Sequence, residues 1–113
     1  MRRRRVLWTR SARRDLDAIV AYLADRSPQA ALSILDRLES RSKSLVNLAD
    51  RGRVVPELAR LHVQEYRDLV LPPYRLIYRV RGSHTLVLAV FDERRNLEDI
   101  LLDRLIRIDG RER

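Results

Sequence analysis

Apolar and polar side chains alternate with a period of two in two runs between Tyr74 and Phe91, on either side of Gly82-Ser83. This period is typical of β-strands that have two distinct faces. Glycine at the first position of a two-residue loop suits a type II′ hairpin turn. The turn predicts the pairs Arg81 with His84, Arg79 with Leu86, Ile77 with Leu88, and Arg75 with Val90. The sequence therefore predicts a β-hairpin around which the other elements are organised.

The predicted register gives the hairpin two faces of different character. One is almost wholly apolar or aromatic and is expected to face the core: Tyr74, Leu76, Tyr78, Val80, Thr85, Val87, Ala89 and Phe91. The other, which we call the mixed face, carries Arg75, Arg79 and Arg81 beside Leu86, Leu88 and Val90. Arginine binds phosphate and carboxylate groups through two parallel hydrogen bonds. The mixed face is therefore either a solvated face whose apolar residues another element of the chain covers, or a surface for an anionic partner. In both cases Arg75 and Arg79 are expected to be replaceable by Ala at little cost in stability.

A short strand and two amphipathic helices are predicted ahead of the hairpin. Residues 4–9 form the strand, and Ser11 offers an N-cap for the first helix, which ends near Arg26. Ser27-Pro28 supplies the N-cap and the tolerated first-turn proline of the second helix, whose apolar stripe continues to Leu48. The short break between the helices indicates an antiparallel α-hairpin.

Gly52 is expected to stop the second helix. A connector with one helical turn at residues 57–61 then leads to a strand that begins near Glu65. Pro72-Pro73 excludes a standard primed turn, which leaves open whether Arg67 or Asp68 joins the mixed face.

A last helix is predicted over residues 97–108, after a turn that contains Arg94 and Arg95. Its apolar residues occupy more than one narrow stripe. It is therefore expected to cover the mixed face, to support a dimer, or to receive a helix from a partner.

Together these elements predict an α+β fold. An N-terminal strand and an α-hairpin pack on an antiparallel sheet of three to four strands, and a C-terminal helix follows. Residues 1–113 are expected to form a single domain, with residues 1–5 as a flexible basic tail.

Charge narrows the class of partner. The formal net charge is +8, and every basic residue except Lys43 is arginine. This favours an acidic partner, which is a nucleic acid, an acidic protein or a membrane surface. Absence of cysteine excludes disulfides and thiolate chemistry. Since the sequence shows no export signal or membrane span, we expect a cytoplasmic protein that does not bind a membrane.

Residues for catalysis are scarce. His62 and His84 lie far apart in sequence and lack the spacing of a metal site. The chain has no glycine-rich phosphate loop and no nucleophile elbow, so we expect neither a metal nor a cofactor. Arginine stabilises charge but does not exchange protons near pH 7. A site built from Arg75, Arg79, Arg81, Arg94 and Arg95 would therefore bind anions better than it would catalyse on them.

The order of several short motifs resembles the RelE/ParE superfamily of bacterial toxins. The matching positions are Trp8-Thr9, Ala12, Asp15-Leu16, Ile19, Tyr22-Leu23, Pro28, Gly52-Arg53, Pro56-Glu57-Leu58, Tyr66-Arg67 and residues 74–78. The resemblance implies an α-hairpin packed on an antiparallel sheet. It also implies a toxin of a type II toxin–antitoxin system, held inactive in a hetero-oligomer by an antitoxin whose C-terminal segment wraps around it.

Members of this superfamily act on two kinds of target. Interferases cleave mRNA on the ribosome, and ParE-like members act on DNA gyrase. Residue by residue, Arg67, Arg75 and Arg95 match the interferase arginines, which would be the catalytic residues in that case. The tyrosine position of many interferases falls near the apolar Leu101, and no Tyr or His follows His84. We therefore expect gyrase inhibition, with ribosome-dependent mRNA cleavage or a non-toxic binding protein as the alternatives.

The antitoxin and the target are expected to bind the mixed face and its surroundings. The predicted partner-binding residues are Arg75, Arg79, Arg81, Leu86, Leu88, Arg94, Arg95, Leu101 and Leu105.

Overall fold

The computed structural model describes residues 5–45, 52–100 and 104. Its elements are β1 (Arg5–Trp8), α1 (Arg10–Ala24), α2 (Pro28–Ser44), β2 (Arg53–Val54), α3 (Pro56–Ala59), β3 (Tyr66–Leu71), β4 (Tyr74–Arg81) and β5 (His84–Asp92). Residues 97–100 and Arg104 are helical as well, and they belong to the predicted last helix. The predicted α+β fold is thus confirmed. None of the helices in this part of the chain has the length and apolar character needed to cross a membrane.

The sheet has five strands in the order β1-β5-β4-β3-β2. β1 runs parallel to β5, whereas the other neighbouring pairs are antiparallel. It contains one strand more than the sequence predicted, because Arg53 and Val54 in the expected connector pair with Asp68 and Arg67 of β3. Both edges of the sheet are therefore short strands that come from outside the central meander.

The hairpin register is as predicted near the turn and differs beyond it. Arg81 lies opposite His84 and Arg79 opposite Leu86, and Gly82 has the positive φ, 60°, that the turn requires. A β-bulge then leaves Leu88 without a partner, so that Ile77 pairs with Ala89 and Arg75 with Phe91. An extra residue exchanges the two faces of a strand. The predicted faces are therefore wrong past the bulge: Ala89 and Phe91 lie on the mixed face and Val90 on the helix side.

Apolar residues pack on both faces of the sheet. The α-hairpin covers one face in a cluster made of Ala12, Leu16, Ile34, Leu38, Leu45, Leu69, Leu71, Tyr74, Leu76, Tyr78, Val87 and Val90. On the mixed face a second cluster contains Val55, Leu58, Tyr66, Ile77, Leu86, Leu88, Ala89, Phe91 and Leu97. Elements of the chain itself therefore cover the apolar part of the mixed face.

The helix ends show which caps the chain uses. Thr9, and not the predicted Ser11, caps α1 by accepting a hydrogen bond from the Ala12 nitrogen at 3.2 Å. Thr9 takes this position because its own nitrogen donates to the Val87 carbonyl, which fixes where the chain leaves the sheet. Ser27 caps α2 as predicted.

The end of α2 differs from the prediction. Leu45 is its C-cap, so Gly52 is not the helix stop. Gly52 instead precedes β2, while the predicted stripe residue Leu48 lies outside the described residues.

The β3–β4 loop resolves the register that the sequence left open. Leu71 lies opposite Tyr74, so Pro72 and Pro73, joined by a cis peptide bond, form a two-residue loop. Asp68 then pairs with Ile77. Asp68, and not Arg67, therefore lies on the mixed face.

Candidate partner-binding site

Arg75 lies buried on the mixed face between two carboxylates. Its Nε donates to Asp68 Oδ2 at 2.8 Å, and its Nη1 donates to Glu57 Oε2 at 2.7 Å. The side chains of Arg75 and Asp68 are 6% and 0% exposed. The guanidinium is therefore not available to a phosphate at the surface. The small cost of replacing Arg75 was expected for a solvated or partner-facing side chain, and Arg75 is neither. We now expect a large cost, because its loss would leave the buried Asp68 without a main counter-charge.

Arg53, which is exposed, completes this cluster, which we call the ion network: Arg53, Glu57, Asp68 and Arg75. The Nε of Arg53 donates to Asp68 Oδ1 at 2.8 Å. The hydrogen bond from Arg75 lowers the pKa of Glu57 below its usual 4.5. Burial acts to lower the pKa of Arg75, but the hydrogen bonds to Glu57 and Asp68 outweigh it and raise that pKa. Two cations and two anions thus tie β2, β3, β4 and α3 together without net charge.

The three arginines that matched the interferase pattern do not come together. Arg67 pairs with Tyr78 and so lies on the helix side, where its Nη1 donates to the Gly52 carbonyl at 2.8 Å. Arg75 lies on the opposite face, and Arg95 is exposed in the turn after β5. Arg67, Arg75 and Arg95 therefore do not form one phosphate site in this structure.

The remaining predicted residues of the mixed face differ in their exposure to solvent. Arg79 is half-buried over the Tyr66 ring and pairs with Glu65 at 3.1 Å. Arg81 is exposed at the end of β4. Leu86 and Leu88 are 8% and 1% exposed and belong to the second apolar cluster. No partner is needed to bury these two leucines, whereas Arg81 remains accessible. The predicted Leu101 and Leu105 lie outside the described residues.

A concave surface that we call the α1 groove lies between α1 and the end of β5. Its volume is about 380 Å³, and it is lined by Asp15, Ala18, Ile19, Tyr22, Tyr74, Val90, Phe91, Asp92, Arg94 and Arg95. On α1, Ala18 and Ile19 lie three or four positions from both Asp15 and Tyr22, so the four residues share one face of the helix. Tyr22 is 57% exposed. The groove thus places the predicted Arg94 and Arg95 beside an accessible apolar strip.

The charges at the rim of the α1 groove are unequal. Arg94 donates from Nε and Nη2 to Asp92 at 2.9 and 2.7 Å, and these bonds lower the pKa of Asp92 to about 2. Burial raises the pKa of Tyr74 above its usual 10. Arg95 has no carboxylate within 4.0 Å among the described residues. Arg95 therefore gives this rim its unbalanced positive charge.

Asp15, which lines the groove, forms an ion pair that was not predicted from the sequence. Arg104 donates from both terminal nitrogens to the two Asp15 oxygens at 2.7 Å each. Asp15 also accepts from the Val90 nitrogen at 3.0 Å, and Arg104 donates to the Leu88 carbonyl at 3.2 Å. The pair thereby joins α1, the bulge in β5 and the last helix. Asp15 and Arg104 are 89 residues apart, so their opposite charges were the sole sign of this pair in the sequence.

The described residues offer little for proton transfer or metal binding. Among residues 5–45, 52–100 and 104, no group of three His, Cys, Asp or Glu could hold a metal ion. His62 is exposed after α3, and His84 begins β5 beside the hairpin turn. The arrangement is suited to binding anions and apolar side chains.

Comparisons with known proteins match toxins named ParE and RelE. The model for "ParE toxin of type II toxin-antitoxin system, parDE" matches residues 6–97. Toxin RelE2 of Caulobacter vibrioides is 37% identical over 75 residues, which cover 66% of this chain and 78% of that toxin. The solved structure of a chromosomal ParDE TA system from P. aeruginosa matches with a TM-score of 0.65 at 29% identity. That match covers 79% of this chain and 95% of that chain.

Proposed function

The chain belongs to the ParE toxin family of type II toxin–antitoxin systems, and from this membership we propose that it inhibits DNA gyrase until its antitoxin binds. The observation that carries the choice of gyrase is the position of Arg75. Its guanidinium is held by Asp68 and Glu57 inside the fold. It therefore serves the stability of the sheet and does not face a substrate.

The chemistry of RNA cleavage supports the same choice. Attack by a 2′-hydroxyl needs one group to accept its proton and another to protonate the leaving oxygen, and each contributes about 10² to 10⁴ in rate. Arg67 donates to a backbone carbonyl, and arginine does not exchange protons near pH 7. Inhibition of gyrase needs a binding surface and no proton carrier, because gyrase supplies the chemistry itself.

The α1 groove is the surface we assign to this binding. Tyrosine and arginine are the side chains that most often dominate binding energy at protein interfaces. Tyr22 is 57% exposed at the groove, and Arg94 is 84% exposed at its rim beside Arg95. These three residues are accessible in the free chain, unlike Leu86 and Leu88.

The antitoxin partner is expected to carry carboxylates beside apolar residues. The chain has a formal charge of +8, so an acidic segment would both neutralise it and cover Tyr22. If this segment covers the α1 groove, the antitoxin and gyrase compete for one surface. Coexpression with the antitoxin is then expected to restore growth.

The experiment is a supercoiling assay with purified gyrase, relaxed plasmid and increasing amounts of the chain. We expect loss of supercoiling with accumulation of cleaved DNA. Tyr22→Ala with Arg95→Gln is expected to weaken inhibition by about tenfold or more, the loss of about 1.4 kcal/mol of binding. Arg37→Gln removes one exposed charge from α2, away from the groove, and is expected to inhibit like the unmodified chain.

Transcript mapping in cells that express the chain separates the alternatives. Codon-phased cuts in mRNA without DNA breaks would overturn the proposal in favour of ribosome-dependent cleavage. A stable chain that neither slows growth nor binds an antitoxin would instead be a non-toxic relative.

A further inference from the structure

Three side chains with basic groups form one row across the hairpin end of the sheet. Arg5 of β1 lies opposite His84 of β5, and His84 lies opposite Arg81 of β4. Directly opposed residues project to the same face with Cβ atoms about 5 Å apart. Arg5, His84 and Arg81 therefore stand side by side on the mixed face, and we call them the cationic row.

Among the described residues, the two arginines of the cationic row differ from the other arginines of the mixed face in having no counter-charge. Arg75 is paired with Asp68, and Arg79, in the next row, is paired with Glu65. Neither Arg5 nor Arg81 has a carboxylate within 4.0 Å in the part of the chain that the structure describes. The two guanidinium charges of the row are therefore unbalanced, and a bound anion would neutralise them.

We propose that the cationic row binds the phosphate backbone of a nucleic acid. Arg5 and Arg81 are two strands apart, so their backbones are separated by about 10 Å. Each guanidinium can hold one phosphate through two parallel hydrogen bonds. His84, between them, offers a ring N–H as a further donor. The candidate site is therefore made of Arg5, His84 and Arg81.

The surroundings of the row favour a nucleic acid over an acidic peptide. Leu86, in the next row, is 8% exposed and so offers no open apolar socket, and Leu7 is 37% exposed at the edge. Protein partners gain affinity mainly from buried apolar and aromatic anchors. Nucleic acids bind through charge alone, by release of counterions. The inference does not depend on gyrase being the target.

The test is binding of the full-length chain to a fluorescent duplex DNA of mixed sequence, followed by anisotropy over a series of salt concentrations. Each phosphate contact contributes about 0.9 to the slope of log K against log salt. The double variant Arg5→Gln/Arg81→Gln is therefore expected to reduce this slope by about 1.8. Arg37→Gln/Arg60→Gln removes the same charge from exposed sites on α2 and after α3 and is expected to keep the slope. Arg5→Lys/Arg81→Lys retains the charge and is expected to keep most of the slope.

The same series with single-stranded RNA distinguishes the two nucleic acids, since a single strand gives about 0.7 per contact. If the Gln variant of the row unfolds, Arg81→Gln alone is measured and is expected to lower the duplex slope by about 0.9. An equal reduction in both double Gln variants would mean that the charge acts diffusely and would overturn the proposal. Tighter binding of a polyglutamate peptide than of either nucleic acid would also overturn it, in favour of an acidic protein.

Discussion

The hydroxyl oxygen of Tyr78 accepts a hydrogen bond from the backbone nitrogen of Gly52 at 2.9 Å. A Cβ atom at residue 52 would lie 2.5 Å from that oxygen and 2.6 Å from the carbonyl oxygen of Asp68. Residue 52 is therefore glycine for lack of space, since its φ is not positive. This close approach lets the buried Tyr78 of β4 hold the start of β2 across β3.

Replacement of Gly52 by Ala is expected to destabilise the fold by about 1–3 kcal/mol, the usual cost of overpacking. The backbone oxygen of Asp68 cannot swing away from the new methyl group. Urea unfolding measures the effect. Tyr78→Phe removes the hydroxyl, the nearest of the three atoms within 3.0 Å of the added Cβ. Gly52→Ala should therefore cost less in that background, and an equal cost in both backgrounds would contradict the explanation.

Removal of Arg75 tests the ion network. Arg75→Ala is expected to lower the free energy of unfolding by about 3–5 kcal/mol, because it leaves the buried Asp68 charge without a main partner. Arg81→Ala, at an exposed position of the same strand, is expected to change it by less than about 0.5 kcal/mol. Chemical denaturation of both variants gives the comparison. Similar small losses would show that the network adds nothing to stability.

Acid is expected to weaken the same network through Glu57. Its folded pKa is below the usual 4.5, so the folded state favours the ionised form. The stability that it contributes is fully present above about pH 4.5 and is lost as the pH falls through the folded pKa. Unfolding free energies measured over this acid range should fall less steeply in Glu57→Gln than in the unmodified chain. Glu98→Gln, which removes an exposed carboxylate outside the network, is the matched control.

The pair between Asp15 and Arg104 is expected to couple α1 to the last helix. A double-mutant cycle with Asp15→Asn and Arg104→Gln should give an interaction energy of about 0.5–3 kcal/mol. Asp17 is exposed on the same helix, so a second cycle with Asp17→Asn and Arg104→Gln should give none. Two equal couplings would mean that Arg104 acts through the general charge of α1.

The pKa of Asp92 reports on its ion pair with Arg94 at the rim of the α1 groove. The side-chain and backbone hydrogen bonds of Arg94 hold the pKa of Asp92 at about 2. In Arg94→Gln this pKa should rise toward the ordinary 3.8, as followed by NMR titration of the carboxyl carbon. Arg37→Gln should leave it in place. A pKa that does not move would show that the pair is open in solution.

The sequence alone predicted features that depend on residues close together in the chain. Ser27 and Pro28 predicted the start of α2, and Gly82-Ser83 predicted the turn and the first hairpin pairs. The predicted cap of α1, Ser11, was wrong, because Thr9 is also a good N-cap residue. Pairing of the Thr9 backbone with Val87, far along the chain, decides between them.

Features that depend on distant residues were missed. The bulge at Leu88 leaves no local mark in an apolar run, yet it exchanges the faces of every residue that follows. Arg75 was expected on a solvated or partner-facing surface because its carboxylates, Asp68 and Glu57, lie 7 and 18 positions away and on other elements. The apolar contact of Leu97 with the mixed face was one of several predicted roles of the last helix, and packing alone selects it.

The parallel pairing of β1 with β5 sets the order of events while the chain is being synthesised. Residues 5–8 meet their partners only when residues 84–87 have been translated. Until then the apolar face of the α-hairpin has an incomplete sheet to cover. Contacts between such distant residues also slow folding, typically to milliseconds or longer. A ribosome that stops within β4 therefore leaves a chain with an unfinished core, and the complete binding surfaces form only after β5 and the turn that follows it have been translated.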